Sequence, residues 1–176
     1  IKVEITENGT EQMFDKLRKN ETDLVFTLDR HIYDSDFIIC AEQEEQVHFI
    51  AAADNSVTDC SWKLSEISQN EFVLTEQAMS YRKILNEILA SQSLEIRPVL
   101  EIGNPLQICE LVKNSSLLSF LPDFISEKYV KDGQIKRLDV DGCPVTVWTQ
   151  LLLHKNKWRS PAINVFIEFY KEVMQR

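Results

Sequence analysis

Hydroxyl and amide side chains stand where helices should begin: Thr10, Thr75 with Ser80, and Asn104 directly after Gly103. Each can accept a hydrogen bond from a free N–H group of a helix N-terminus, a capping role worth about 1 kcal/mol apiece. Gathered at the C-terminal ends of strands in parallel units, the same residues line the crevice in which open α/β folds hold small ligands. The free amides of the helix tips favour an anion there. That is the chemistry of binding, with no catalytic group required.

Catalytic patterns are missing. His31, His48 and His154 are far apart and form no HExxH arrangement, and no GxSxG elbow, phosphate-cradling glycine loop or GxGxxG fingerprint occurs. Carboxylates are plentiful, but no pair is singled out for acid/base work. The expectation is a protein that is not an enzyme, with no metal site and no cofactor. Cys40, Cys60, Cys109 and Cys143 lie in no CxxC pair, so free thiols are expected. Cys109 falls beside Ile108, Leu111 and Val112 on the apolar side of a helix, whereas Cys60 sits in a polar loop open to oxidation.

The elements that position these residues must come from a chain of 176 residues, 44% hydrophobic and 27% charged, the composition of a globular protein with one core or two small lobes. No apolar run approaches the roughly 20 residues of a membrane span. The opening residues Ile1–Thr6 lack the pattern of an export signal, so a cytoplasmic location is expected. The net charge of −9 argues against a nucleic-acid surface within these residues. Residues 1–76 carry 6 basic against 17 acidic side chains, and residues 77–176 carry 13 against 11. Any basic cleft wall should therefore come from the second segment, with Arg82, Lys83 and Arg97 nearest the helix starts.

Alternation over Ile1–Thr6 predicts a half-buried strand, followed by a helix with Met13, Phe14 and Leu17 on its inner face and a strand at 23–27. That order implies a parallel strand–helix–strand unit. Two apolar runs, 37–40 and 47–51, flank Glu42-Gln43-Glu44-Glu45 and read as a strand pair joined by an exposed acidic turn. Phe72–Thr75 is a strand, and Tyr81, Ile84, Leu85, Ile88 and Leu89 form a helical stripe. A strand at 97–102 precedes a helix opening at Asn104-Pro105, and a buried strand at 117–121 ends at Pro122. A short helix around Phe124, an edge strand over 135–140 and a long strand from Val145 to His154 follow. Ser160 and Pro161 then open a closing helix striped by Val165, Phe166, Phe169 and Val173.

Four segments resemble the effector-binding domain of LysR-type transcriptional regulators. They are VEITENGTEQMFDKLRKNETDLVF at 3–26, FVLTEQAMSYRKILNEIL at 72–89, LEIGNPLQICELVKNSSLLSFLP at 100–122 and WRSPAINVFIEF at 158–169. The resemblance implies an α/β, two-lobed type II periplasmic-binding-protein-like fold, N-terminally incomplete, with the first strand and helix absent. Lobe I would comprise residues 1–70 and 143–176, and lobe II residues 71–142. A small effector would lie between them and modulate DNA binding and transcription.

By that analogy the effector-binding positions are Thr10, Ser80, Gly103 and Asn104, with Phe120 and Pro122; Thr27 is added from its place at the end of a first-lobe strand. The resemblance also implies a homodimer or tetramer, and DNA contact only through a winged helix-turn-helix preceding Ile1. Asn114-Ser115-Ser116 replaces the glycine pair of the family, and Ser80 stands roughly where peroxide-sensing members carry a cysteine. An extracytoplasmic solute-binding protein of a transport system is the alternative reading of the same lobes.

Overall fold

The computed structural model describes residues 3–6 and 9–174, with the side chains of 58, 59 and 174 left aside. Packing divides the chain into two compact units, Ile1–Glu44 with Val147–Arg176, and Glu45–Thr146. The long strands β2 (Phe37–Ala52) and β9 (Val145–His154) each run from one unit into the other.

In the first unit, α1 (Thr10–Arg18) packs its inner face on β1 (Val25–Asp29). Leu17, Val25, Phe37 and Leu152 form the core, joined by Met13, Phe14 and Ile32. β1 pairs antiparallel with β9, Val25 opposite Leu152 and Asp29 opposite Trp148. The parallel strand–helix–strand unit expected for residues 1–27 is therefore corrected. Ile1 and Lys2 fall outside the described residues, and 3–6 form no strand. Alternation marks a face, but a strand's hydrogen bonds must come from a neighbour, and none is offered here.

The closing helix α6 (Pro161–Met174) begins as expected, the Ile163 amide donating to Ser160 Oγ at 3.3 Å. Its stripe does not face inward, however. Val165 is 64% exposed and Phe169 62%, while Ile167 is the buried residue and Tyr170 meets the Phe26 ring edge-on at 5.8 Å.

The strand pair expected over 37–40 and 47–51 is also corrected. Residues 37–52 are one continuous strand, with no turn at 42–45. A tight hairpin turn needs backbone that Gly, Asn or Asp adopts readily, and Glu42-Gln43-Glu44-Glu45 offers none.

The second unit contains β3 (Ser61–Trp62), α2 (Leu64–Ile67), β4 (Val73–Leu74), α3 (Ser80–Ser91), β5 (Leu100–Glu101), α4 (Pro105–Val112), β6 (Ser119–Pro122), α5 (Asp123–Lys131), β7 (Ile135–Arg137) and β8 (Asp139–Val140). β6 and β7 pair antiparallel with successive parts of β2, and β4 pairs parallel with β5. A parallel bridge joins Phe72 to Leu118. Phe49 is the centre of the core, its ring 4.9 Å from Phe120 and 5.9 Å from Phe72. The edge strand expected over 135–140 breaks at Leu138, whose amide donates to the Phe49 carbonyl before β8 turns to pair with β3.

Candidate functional site

Register places the site. In the second unit Val73 stands opposite Leu100 and Leu74 opposite Glu101, in parallel. The turns that follow these strands, residues 75–80 and 102–104, therefore leave from one end of the sheet and lead into α3 and α4. Hydrogen bonds hold both turns: the Ile102 amide donates to the Leu74 carbonyl at 3.0 Å and the Met79 amide to the Glu76 carbonyl at 3.1 Å. Ser80 thus stands at the start of one helix and Gly103 with Asn104 at the start of the other, both following the same end of the parallel strand pair.

Of Thr10, Thr75, Ser80 and Asn104, Asn104 is the one that caps its helix through the side chain, its Oδ1 accepting from the Leu106 amide at 3.0 Å. The N-cap of α3 is Met79, with Ser80 as the first helical residue, and the N-cap of α1 is Gly9, with Thr10 as the first helical residue; neither start has a side-chain cap bond. Thr75 is buried beneath the α3 turn.

Phe120 and Pro122 belong to β6, which the Phe72–Leu118 bridge sets parallel to the chain entering β4, so β6 ends at the same end as the two turns. Phe120, 1% exposed, belongs to the Phe49 cluster, and Pro122 is buried opposite Val47 at the start of α5. Thr27 lies in β1 of the first unit, 3% exposed, with its hydroxyl donating to the Gln150 carbonyl at 3.5 Å.

Sequence reading named Arg82 as a candidate for a basic wall and Tyr81 as a stripe residue, and missed Glu76. Arg82, in the first turn of α3, is 3% exposed, with Nε donating to Asn86 Oδ1 at 3.1 Å and Nη2 3.6 Å from Glu101 Oε1. Burial pulls its pKa down, and the Glu101 carboxylate opposes that. Tyr81 is pushed up to about 12 by burial. Glu76, exposed, reaches across to Gly103, where its Oε1 would come 3.1 Å from any added Cβ. Its adjacency to Thr75 was the available signal.

Another cluster in this unit ties α5 to its neighbours. His48 Nδ1 lies 2.7 Å from Asp123 Oδ1, which also faces the Arg137 guanidinium at 3.0 Å, and Arg137 reaches Glu127 at 2.5 Å. Asp123 is thus shared between an imidazole and a guanidinium, and among the described residues no Ser, Thr or Cys hydrogen-bonds His48 as a nucleophile would. Two shallow hollows, about 360 and 530 Å³, open at the far end of α4 around Asp54, Lys113 and Asn114, away from both helix tips. Among the described residues no group of His, Cys, Asp and Glu is placed to hold a metal ion.

The family model for the LysR substrate binding domain matches residues 1–175. The chain belongs to the LysR substrate-binding domain family. It is 25% identical over 169 residues to the HTH-type transcriptional regulator YwqM of Bacillus subtilis, covering 95% of this chain and 57% of that protein. The chain thus spans little more than half the length of this curated relative.

The fold is similar to that of the Synechocystis CcmR regulatory domain in complex with 2-PG, with a TM-score of 0.76 at 17% identity, covering 94% of this chain and 79% of that one. It is also similar to the effector-binding domain of QuiR in complex with shikimate, TM-score 0.70 at 15% identity over 92% and 76% of the two chains. Full-length HypT from Salmonella typhimurium matches with a TM-score of 0.74 at 15% identity over 92% of this chain and 55% of that one. The type II periplasmic-binding-protein-like fold expected from sequence is the fold of this LysR substrate-binding domain. No described helix is long and apolar enough to cross a membrane.

Proposed function

We propose that this LysR domain receives a small effector at the tips of α3 and α4, with Ser80, Gly103 and Asn104 as the wall supplied by the second unit. The observation that carries this reading is the parallel β4–β5 register, which delivers two helix N-termini to one end of the sheet. The resemblance assigns Thr10 and Thr27 to the opposing wall, with Phe120 and Pro122 as further positions. The lobe boundaries in this reading are those the resemblance implies, 1–70 with 143–176, and 71–142. Effector binding then shifts an equilibrium between open and closed forms by its differential affinity for the two.

In the whole protein that shift would pass, through a homodimer or tetramer, to a winged helix-turn-helix that contacts DNA in the cytoplasm. The ligands named for the related domains, 2-PG and shikimate, support a small anionic or anion-bearing effector. The test is a thermal-shift screen of small carboxylates and phosphates on the purified chain. Thr10→Val combined with Asn104→Ala should abolish any ligand-induced rise in melting temperature while leaving the circular-dichroism spectrum unchanged; an unaltered response in the double variant rules these positions out.

A further inference from the structure

We infer that Glu76 determines the effector's charge pattern, so that the molecule recognised carries an ammonium group beside its anionic end, as an α-amino acid does. The inference rests on the proposed effector site at the tips of α3 and α4 and assigns it a specificity-determining residue.

Three observations converge on Glu76. It lies two residues beyond β4, as Gly103 lies two beyond β5, and its carboxylate packs so closely on Gly103 that an added Cβ would sit 3.1 Å from Oε1. A charged oxygen is therefore fixed in the turn that opens α4, one residue before the Asn104 cap. Next, the cations expected to form a basic wall are already engaged or turned away. Arg82 is buried against Glu101 at 3.6 Å, Arg97 pairs with Glu95 at 3.0 Å, and Lys83 lies on the exposed side of α3. Glu76 is exposed, and among the described residues its carboxylate forms no ion pair or hydrogen bond.

The charge left at the tips is thus negative, beside the first-turn amides of α3, which favour a negative ligand group; at α4 Pro105 has no N–H, and Leu106 and Gln107 already donate to Asn104. A bare anion seated on those amides would meet the Glu76 carboxylate at close range, which disfavours it. An ammonium on the same ligand turns that repulsion into a charge-assisted hydrogen bond. Nη1 of the buried Arg82 guanidinium, in the first turn of α3, has no hydrogen-bond partner among the described residues and is left over as a donor for the anionic end. One carboxylate and the N–H donors of the α3 start match a zwitterion better than a simple acid.

The test measures melting temperature and apparent Kd of the purified chain with the proteinogenic L-amino acids, β-alanine and γ-aminobutyrate, and with the des-amino carboxylic acid corresponding to each. The expected result is stabilisation by at least one amino acid and not by its des-amino partner. Glu76→Gln should then weaken the amino acid roughly tenfold, the loss of one charge-assisted contact, and strengthen the des-amino acid. Stabilisation by carboxylates lacking nitrogen as strong as by amino acids, an unchanged ratio in Glu76→Gln, or no response to any amino acid overturns the inference. If the carboxylate response in the first case disappears on Thr10→Val with Asn104→Ala, the effector site stands and only the role of Glu76 falls.

Discussion

Nη2 of Arg82 stands 3.6 Å from Oε1 of Glu101, joining the first turn of α3 to the last residue of β5 across the base of the two helix tips. The guanidinium is almost wholly buried while the carboxylate still reaches solvent. The two partners should therefore respond unequally to removal. Glu101→Gln leaves a buried cation without its counter-charge and should cost about 2–3 kcal/mol in urea unfolding. Arg82→Met leaves a carboxylate that water can solvate and keeps much of the packing volume, so its cost should be the smaller.

Glu45 lies in β2 with 9% of its surface exposed, and burial, followed by the like charge of Asp123, raises its pKa above the usual carboxylate range. The folded chain therefore holds this proton more tightly than the unfolded chain does. Above the raised pKa the ionised carboxylate costs stability; below the ordinary carboxylate pKa, near pH 4, both states are protonated and the cost is gone. Glu45→Gln should raise the melting temperature at pH 7, and the gain should shrink to nothing as the pH falls to about 4.

The thiols should separate by reactivity. Burial pushes Cys109 and Cys143 up to about 11 and also raises Cys40, while Cys60 is exposed. Titration with a thiol-specific disulfide reagent at pH 8 should show one fast phase, removed by Cys60→Ser. A fast phase surviving that substitution contradicts the assignment.

On α6, exposure inverts the sequence expectation. Phe169→Lys and Val165→Lys should change stability by no more than about 0.5 kcal/mol, because these side chains are already mostly in solvent. Ile167→Ala should cost about 2–4 kcal/mol, because Ile167 is the one inserted into the unit. Equilibrium unfolding of the single variants measures both.

The parts legible in the sequence were those governed by neighbours a few residues away. Asn104-Pro105 and Ser160-Pro161 announce α4 and α6 because a cap and a fixed proline φ act within one helical turn. β9 reads as Val145–His154 because its apolar run is long enough to be buried wherever it pairs. The family was legible for the same reason, since its motifs are strings of such local signals in a set order.

Tertiary structure decided what depends on remote partners. The run Glu42–Glu45 is strand and not turn, because Glu42 meets His31 at 2.8 Å and Gln150 at 3.2 Å, and the Gln43 carbonyl accepts from Thr149 at 3.3 Å. Thr10 and Ser80 have capping side chains yet sit one place inside their helices, and only the backbone path through Gly9 and Met79 settles that. Which face of α6 is covered, and that Glu76 lies against Gly103 across a parallel strand pair, are likewise facts of register. Periodicity in a chain specifies the angle between its own side chains; the surface that meets them is set by residues tens of positions away.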